Sequence, residues 1–193
     1  MPNAVKSTKE RIIDAASRQF GDAGDISMRN VADDVGLTAT ALYHHFRGKR
    51  ELLDAVADRG FGLFESRLRS PGETDPQRII HGILGQYKQF AADHPALFGL
   101  MFVEPRRSAR KFPVDFAAHR LAVFNSLWKA VAECMQDGSD GSQIDPDESL
   151  HLAHDIWALT HGQILLWRAG RFVDDATFRE VLTRSIDAFI DTL

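Results

Sequence analysis

Gly36 is the residue that most limits what this chain can become. It lies within VADDVGLTATALYHHF, residues 31–46, between two short apolar patterns. Before it, Ser27 stands where a helix N-cap is needed, for a short helix through about Asp34 with Val31, Ala32 and Val35 inward. After it, Thr38 caps a second short helix that turns Leu42 and Phe46 inward. A glycine takes the left-handed backbone of a tight turn without a Cβ clash. Ala32 offers a small surface where two helix axes cross steeply, and Leu42 is placed to pack back on the first helix. This is the spacing of a helix-turn-helix. A helical hairpin inside an ordinary core carries Ala and Gly at the same spacing, so the pattern alone leaves both readings open.

The rest of the chain also reads as helix, without long alternating β-branched runs. Ile12, Ile13, Ala16 and Phe20 follow helical spacing. Gly48 breaks the pattern again, and a longer helix starts near Arg50 with Leu52, Leu53 and Val56, continuing towards Leu68. Residues 70–76, SPGETDP, read as a linker. Further helices are expected over about 77–93, 114–135, 148–169 and 175–191, with a kink at Pro95 and a short apolar piece, ALFGLMF. Residues 104–113 read as a surface loop and 136–147 as the most loop-like segment of the chain. The expected fold is all-α. A three-helix head is joined by a connecting helix to a helical C-terminal domain, about nine helices in all, with the head over 1–56 and the second domain over 57–193.

Composition sets broad limits. The 193 residues are 44% hydrophobic and 26% charged, enough apolar matter for a sizeable core. No run approaches the roughly 18 apolar residues of a membrane span, so no membrane partner is expected. The N-terminus lacks the apolar stretch of a secretory signal, and the single Cys134 rules out an internal disulfide, so a cytoplasmic protein is the simplest expectation. The net charge of −4 does not announce a nucleic-acid binder. Residues 38–50, however, carry Arg47, Lys49 and Arg50 with no acid, beside His44 and His45. That is a local basic spot on an otherwise neutral head.

If the helix-turn-helix reading holds, the second helix offers Thr38, Ala39, Thr40, Tyr43 and His44 on its unpacked face, and Lys49 follows the Gly48 turn within reach of a phosphate. The stretch from Lys9 to Asp58 resembles the DNA-binding domain of the tetracycline-repressor (TetR) family. The matching elements are ERIIDAA…F, SMRNVA, VGLT and LYHHFRGKRELLDAV. More weakly, HPALFGLMF and WALTHGQILLWRAGRF resemble a Trp/His-Gly subgroup of its C-terminal domains. The resemblance implies an all-helical homodimer that binds palindromic double-stranded operator DNA and is released by a small-molecule effector. It places Arg29 and Thr38 near DNA, Tyr43 and Lys49 on phosphates and His44 at the groove edge, with His45 structural or backbone-contacting. The sequence departs from the family pattern at Thr38-Ala39-Thr40-Ala41, where polar residues are usual, and in a shorter turn between Phe20 and Ser27.

In the tail, Phe178, Leu182, Ser185/Ile186, Phe189 and Leu193 form one stripe. Leu150, Ala153, Ile156/Trp157, Thr160, Ile164 and Trp167 form another, and Leu152, Leu159 and Leu166 lie off it. A helix apolar nearly all round is buried on more than one face, and a partner subunit is the economical cover. A homodimer through the helices at about 148–169 and 175–191 is therefore expected, against a monomer with a larger core. His81, Tyr87, Phe98, Met101, Phe102, His119, Trp128, Trp157 and His161 are the candidate effector contacts, although each aromatic taken singly reads as core. The competing reading is a helical metal-dependent enzyme using His154 and His161, which share a helix face, with Asp155 or Glu148 nearby. With no HExxH, no paired cysteines and no phosphate-binding glycine loop, no catalytic residue, metal or cofactor is expected.

Overall fold

The computed structural model describes residues 6–68, 73–138 and 145–191. Residues 70–72 of the linker expected at 70–76, residues 139–144 of the loop expected at 136–147, and Leu193 lie outside the described residues; at the ends of that loop, residues 136–138 and 146–147 are helical, not loop. Among the described residues there are ten α-helices, one π turn and no strand. They are α1 (Thr8–Ala23), α2 (Met28–Val35), α3 (Ala39–His45), α4 (Lys49–Arg67), α5 (Pro76–Asp93), α6 (Pro95–Phe98), the π turn (Gly99–Val103), α7 (Val114–Ala117), α8 (Ala122–Gly138), α9 (Pro146–Arg168) and α10 (Asp175–Ile190).

The helix expected over 114–135 is two helices. Asp115 explains the break. Its carboxylate accepts from the Lys111 N–H and from the Arg120 guanidinium, both at 2.8 Å. The Arg120 N–H returns to the Asp115 carbonyl at 3.0 Å, and His119 takes a left-handed φ of 53°. The turn after α7 is thus closed by a Schellman-type bond, and α8 starts afresh. The apolar piece after Pro95 also divides. Its last turn widens so that the Glu104 N–H reaches the Gly99 carbonyl at 2.9 Å, five residues back.

The chain forms two compact units: residues 1–63 with 92–109, and residues 64–91 with 110–193. In the first unit, α1 opens with a reciprocal cap between Ser7 and Glu10. It buries Ile12, Ala15, Ala16 and Phe20 with Val31, Ala32 and Val35 of α2, Leu42 of α3, and Leu52, Val56 and Ala57 of α4. Gly60 lets α4 approach the segment after Pro95. A Cβ there would stand 2.6 Å from Met101 Sδ and 3.0 Å from Leu97 Cδ1. Arg106 ties down the following segment. Its buried guanidinium lies 3.7 Å from Asp58 and 3.9 Å from Asp54, donates to Ser108 Oγ at 3.2 Å, and covers the Phe61 ring at 5.5 Å. The region 104–113 is free of helix as expected, but this arginine is not on the surface.

In the second unit α9 packs on both α8 and α10. Its inward face buries Leu150, Ala153, Ile156, Thr160 and Ile164, matched by Phe178, Leu182, Ile186 and Ile190 of α10. Asp145 caps α9 ahead of Pro146, and Asp174 caps α10 by accepting the Thr177 N–H at 2.7 Å. No described helix is long and apolar enough to cross a membrane.

Candidate functional site

The turn at Gly36 has the geometry its sequence calls for. Gly36 adopts φ 70°, ψ 35°, and the Leu37 N–H closes onto the Ala32 carbonyl at 2.9 Å. Arg11 of α1 adds a bond with no signature in the sequence: its guanidinium donates to the Val35 carbonyl at 2.8 Å, satisfying the end of α2. Ser27 caps α2 and Thr38 caps α3, each side-chain oxygen accepting from the N–H three residues on. Leu42 is fully buried and fixes the rotation of α3.

That rotation determines what faces outward. Thr38, Ala39, Thr40, Tyr43 and His44 are all exposed, with Tyr43 at 51%. Arg29, in the first turn of α2, is exposed too. His45, expected to be structural or backbone-contacting, is exposed like His44, which leaves it no place in the packed core, where Leu42 is the only buried residue of α3. Lys49 is engaged. Its ammonium lies 2.6 Å from Asp25 in the turn between α1 and α2. The positive charge and the Ile26 N–H hold the Asp25 carboxyl below the usual carboxylate range. Asp25 was not singled out by sequence reasoning, because the pair spans 24 residues.

The nine effector candidates do not form one set. Phe98, Met101 and Phe102 belong to the first unit, where Phe102 meets Phe61 edge-on at 5.3 Å. In the second unit His81 pairs with Asp187 at 2.9 Å, and His119 stacks on Trp128 at 4.8 Å. Trp128 is held by its indole N–H to Ser149 at 2.9 Å. Tyr87, Trp157 and His161 do come together: the Tyr87 hydroxyl lies 2.6 Å from His161 Nδ1, and the Trp157 ring meets the His161 ring at 6.0 Å. A separate groove of about 690 Å³ runs between α5 and α8, floored by Ile79, Ile83 and Ala130 and flanked by Arg78 and Lys129. It takes in none of the nine.

The metal-site alternative finds no support. The Trp157 ring stands between His154 and His161, at 5.8 and 6.0 Å from them. His154 instead packs on Phe112 at 4.0 Å, and His161 is engaged by Tyr87. Among the described residues no three His, Cys, Asp or Glu side chains gather to hold a metal ion.

Two short helices about a left-handed glycine, one of them presenting a polar outer face, define a helix-turn-helix protein. The model for bacterial regulatory proteins of the tetR family matches residues 12–56, and that for the tetracyclin repressor-like C-terminal domain matches residues 80–193. The chain belongs to the tetracycline-repressor family of DNA-binding transcriptional regulators. It is 23% identical over 159 residues to the transcriptional repressor KstR2 of Mycolicibacterium smegmatis, covering 79% of this chain and 75% of that protein. Among solved structures, a protein of unknown function from Rhodococcus sp. RHA1 matches with TM-score 0.73 and 25% identity, over 100% of this chain and 98% of that one. BioQ, solved with its double-stranded DNA operator, matches with TM-score 0.63 and 20% identity, over 96% and 99%.

Proposed function

We propose that this protein is a repressor that binds an inverted-repeat operator as a homodimer and leaves it when a small hydrophobic molecule binds the second unit. The observation that carries the DNA reading is the outward face of α3, fixed by buried Leu42 and the Gly36 turn. Thr38, Ala39 and Thr40 face the major groove with His44 at its edge, Tyr43 and Lys49 meet phosphates, and Arg29 lies near the DNA. With Ala39 and Ala41 in place of polar groups, backbone contacts carry much of the affinity. Two phosphate contacts per head, doubled in a dimer, give a log–log salt dependence of roughly −0.9 per contact. Half-sites lie about one helical turn, ~34 Å, apart or more. KstR2 is named a repressor, which supports that sign of regulation.

The homodimer reading is supported by α9. Leu159 and Leu166 are exposed on the face away from its core, and nothing lies within 4 Å of where a Cβ on Gly162 would stand, leaving room for a second helix. The effector reading rests on Tyr87, Trp157 and His161, a polar group set among aromatic rings. A tetracycline-repressor variant from Acinetobacter baumannii, solved with minocycline, matches this chain with TM-score 0.66 and 16% identity over 97% of this chain and 96% of that one. An effector need only prefer one setting of α4, which is common to both units, by a few kcal/mol to shift the population of heads able to span the operator.

Genome-wide capture of bound DNA, followed by titration of the recovered operator with wild type and with Tyr43→Ala/Lys49→Ala, tests the DNA reading. Unchanged affinity in the double variant sinks it. The effector reading is tested by screening small molecules for quenching of the three tryptophans, Trp128, Trp157 and Trp167, together with DNA release. A ligand that quenches without altering DNA affinity counts against it.

A further inference from the structure

We propose that Asp25 competes with DNA phosphate for Lys49, so that the turn between α1 and α2 sets how tightly the head grips the backbone. The inference rests on the reading of Lys49 as a phosphate contact and adds to it a residue that attenuates that contact. The Lys49 ammonium lies 2.6 Å from one Asp25 carboxylate oxygen and 2.7 Å from the other. The carboxylate is held where it is. Gly24 closes α1 with its N–H on the Phe20 carbonyl, Ile26 is buried, and the Ile26 N–H donates to Asp25 Oδ1 at 2.8 Å. Both partners are exposed, so water and phosphate can reach them.

The competition follows from the chemistry. A carboxylate and a phosphate present the same acceptor, an anionic oxygen, to one ammonium. Residues 38–50 contain no acid of their own, so the fold imports Asp25 to this basic spot from a separate turn. Glu51 is the neighbouring acid, and its carboxylate is turned onto the Arg47 N–H at 2.8 Å. When a phosphate arrives, Lys49 either leaves Asp25 or bridges two anions that repel each other. Both routes weaken the net contact. An exposed ion pair is weak enough for this exchange to occur at ordinary salt. The nearby Arg29, Arg47 and Arg50 keep the head attractive to DNA throughout.

The test is a double-mutant cycle on the full-length protein, read by fluorescence anisotropy with a labelled DNA duplex of mixed sequence, since phosphate contacts are independent of sequence. Wild type, Asp25→Asn, Lys49→Ala and the double variant are titrated between about 50 and 200 mM salt. Asparagine keeps the oxygen that accepts the Ile26 N–H, and Asp25→Ser is the second choice should Asp25→Asn alter the circular dichroism spectrum. The expected result is that Asp25→Asn tightens binding about two- to fivefold per head, that Lys49→Ala weakens it, and that the gain vanishes in the Lys49→Ala background. An equal gain in both backgrounds overturns the proposal, because it reports only the loss of a negative charge near DNA. No gain in the wild-type background also overturns it. Should Lys49→Ala leave affinity and salt slope unchanged, the phosphate reading of Lys49 itself falls, an outcome distinct from the other two.

Discussion

The hydroxyl of Tyr87 on α5 and Nδ1 of His161 on α9 lie 2.6 Å apart, joining side chains 74 residues distant in the chain. Burial disfavours both charged forms. It pushes the Tyr87 phenol well above its ordinary range and holds the His161 imidazole below its ordinary value of 6.5, with Arg168 adding to the second effect. A neutral His161 has one ring nitrogen free to accept, and in the tautomer protonated on Nε2 the phenol donates to Nδ1. The Trp157 ring meets the His161 ring at 6.0 Å, so the pair sits against an aromatic wall supplied by the same helix as His161.

Tyr87→Phe removes the hydroxyl and leaves His161 Nδ1 partly buried without that partner. The variant is expected to lose about 1–3 kcal/mol of stability in urea unfolding, with the helical spectrum unchanged. Full stability in this variant would show that the bond is replaced by water.

The same pair gives a pH dependence. A histidine held below its unfolded value binds fewer protons when folded, so the unfolded state gains as pH falls. The contribution of His161 is complete above about pH 6.5 and declines below it. The urea midpoint is expected to fall between pH 7.5 and 5.5, and to fall less in His161→Gln. Equal slopes in the two proteins would remove His161 from the account.

Gly60→Ala tests the close approach of α4 to the segment after Pro95. The added Cβ meets Met101 Sδ at 2.6 Å in a buried position, so the methionine must leave its place. A loss of about 1–3 kcal/mol is expected by thermal unfolding. Met101→Ala in the same chain should restore part of the midpoint shift that Gly60→Ala causes, despite its own cavity cost.

Arg106→Leu leaves Asp54 and Ser108 without their cation and exposes one face of Phe61. We expect a loss of about 1–3 kcal/mol, with earlier proteolysis at Arg107 and Arg110. Arg106→Lys should recover only part of it, because an ammonium cannot lie flat on the ring while reaching both aspartates. Equal stability of all three proteins would show that this clamp contributes nothing.

Leu166→Glu and Leu159→Glu place a carboxylate on the outward face of α9, where Leu166 is 51% exposed in the single chain. If the proposed dimer forms through this face, light scattering shows wild type as a dimer and both variants shifted to monomer, with helix content retained. A dimer of unchanged mass in both variants would move the interface elsewhere.

The short-range parts of this fold were legible in the sequence. Ser27, Gly36 and Thr38 act on neighbours three or four residues away, so their roles as caps and turn could be read directly, as could the buried stripe of Val31, Ala32, Val35 and Leu42. The long helices followed from periodicity for the same reason. The break before α8 was not legible, because it depends on Asp115 binding groups on both sides of itself rather than on any helix-breaking residue type. What only the tertiary structure decided lies between remote segments: Arg11 on the end of α2, Asp25 on Lys49, Arg106 beneath α4 and Tyr87 on His161. It also divided the aromatic candidates, giving Phe98, Met101 and Phe102 to the first unit and Tyr87, Trp157 and His161 to the second. Periodicity says which face of a helix is apolar. Which other face it meets is set by the joint packing of the whole chain, and a side chain gains its partner only there.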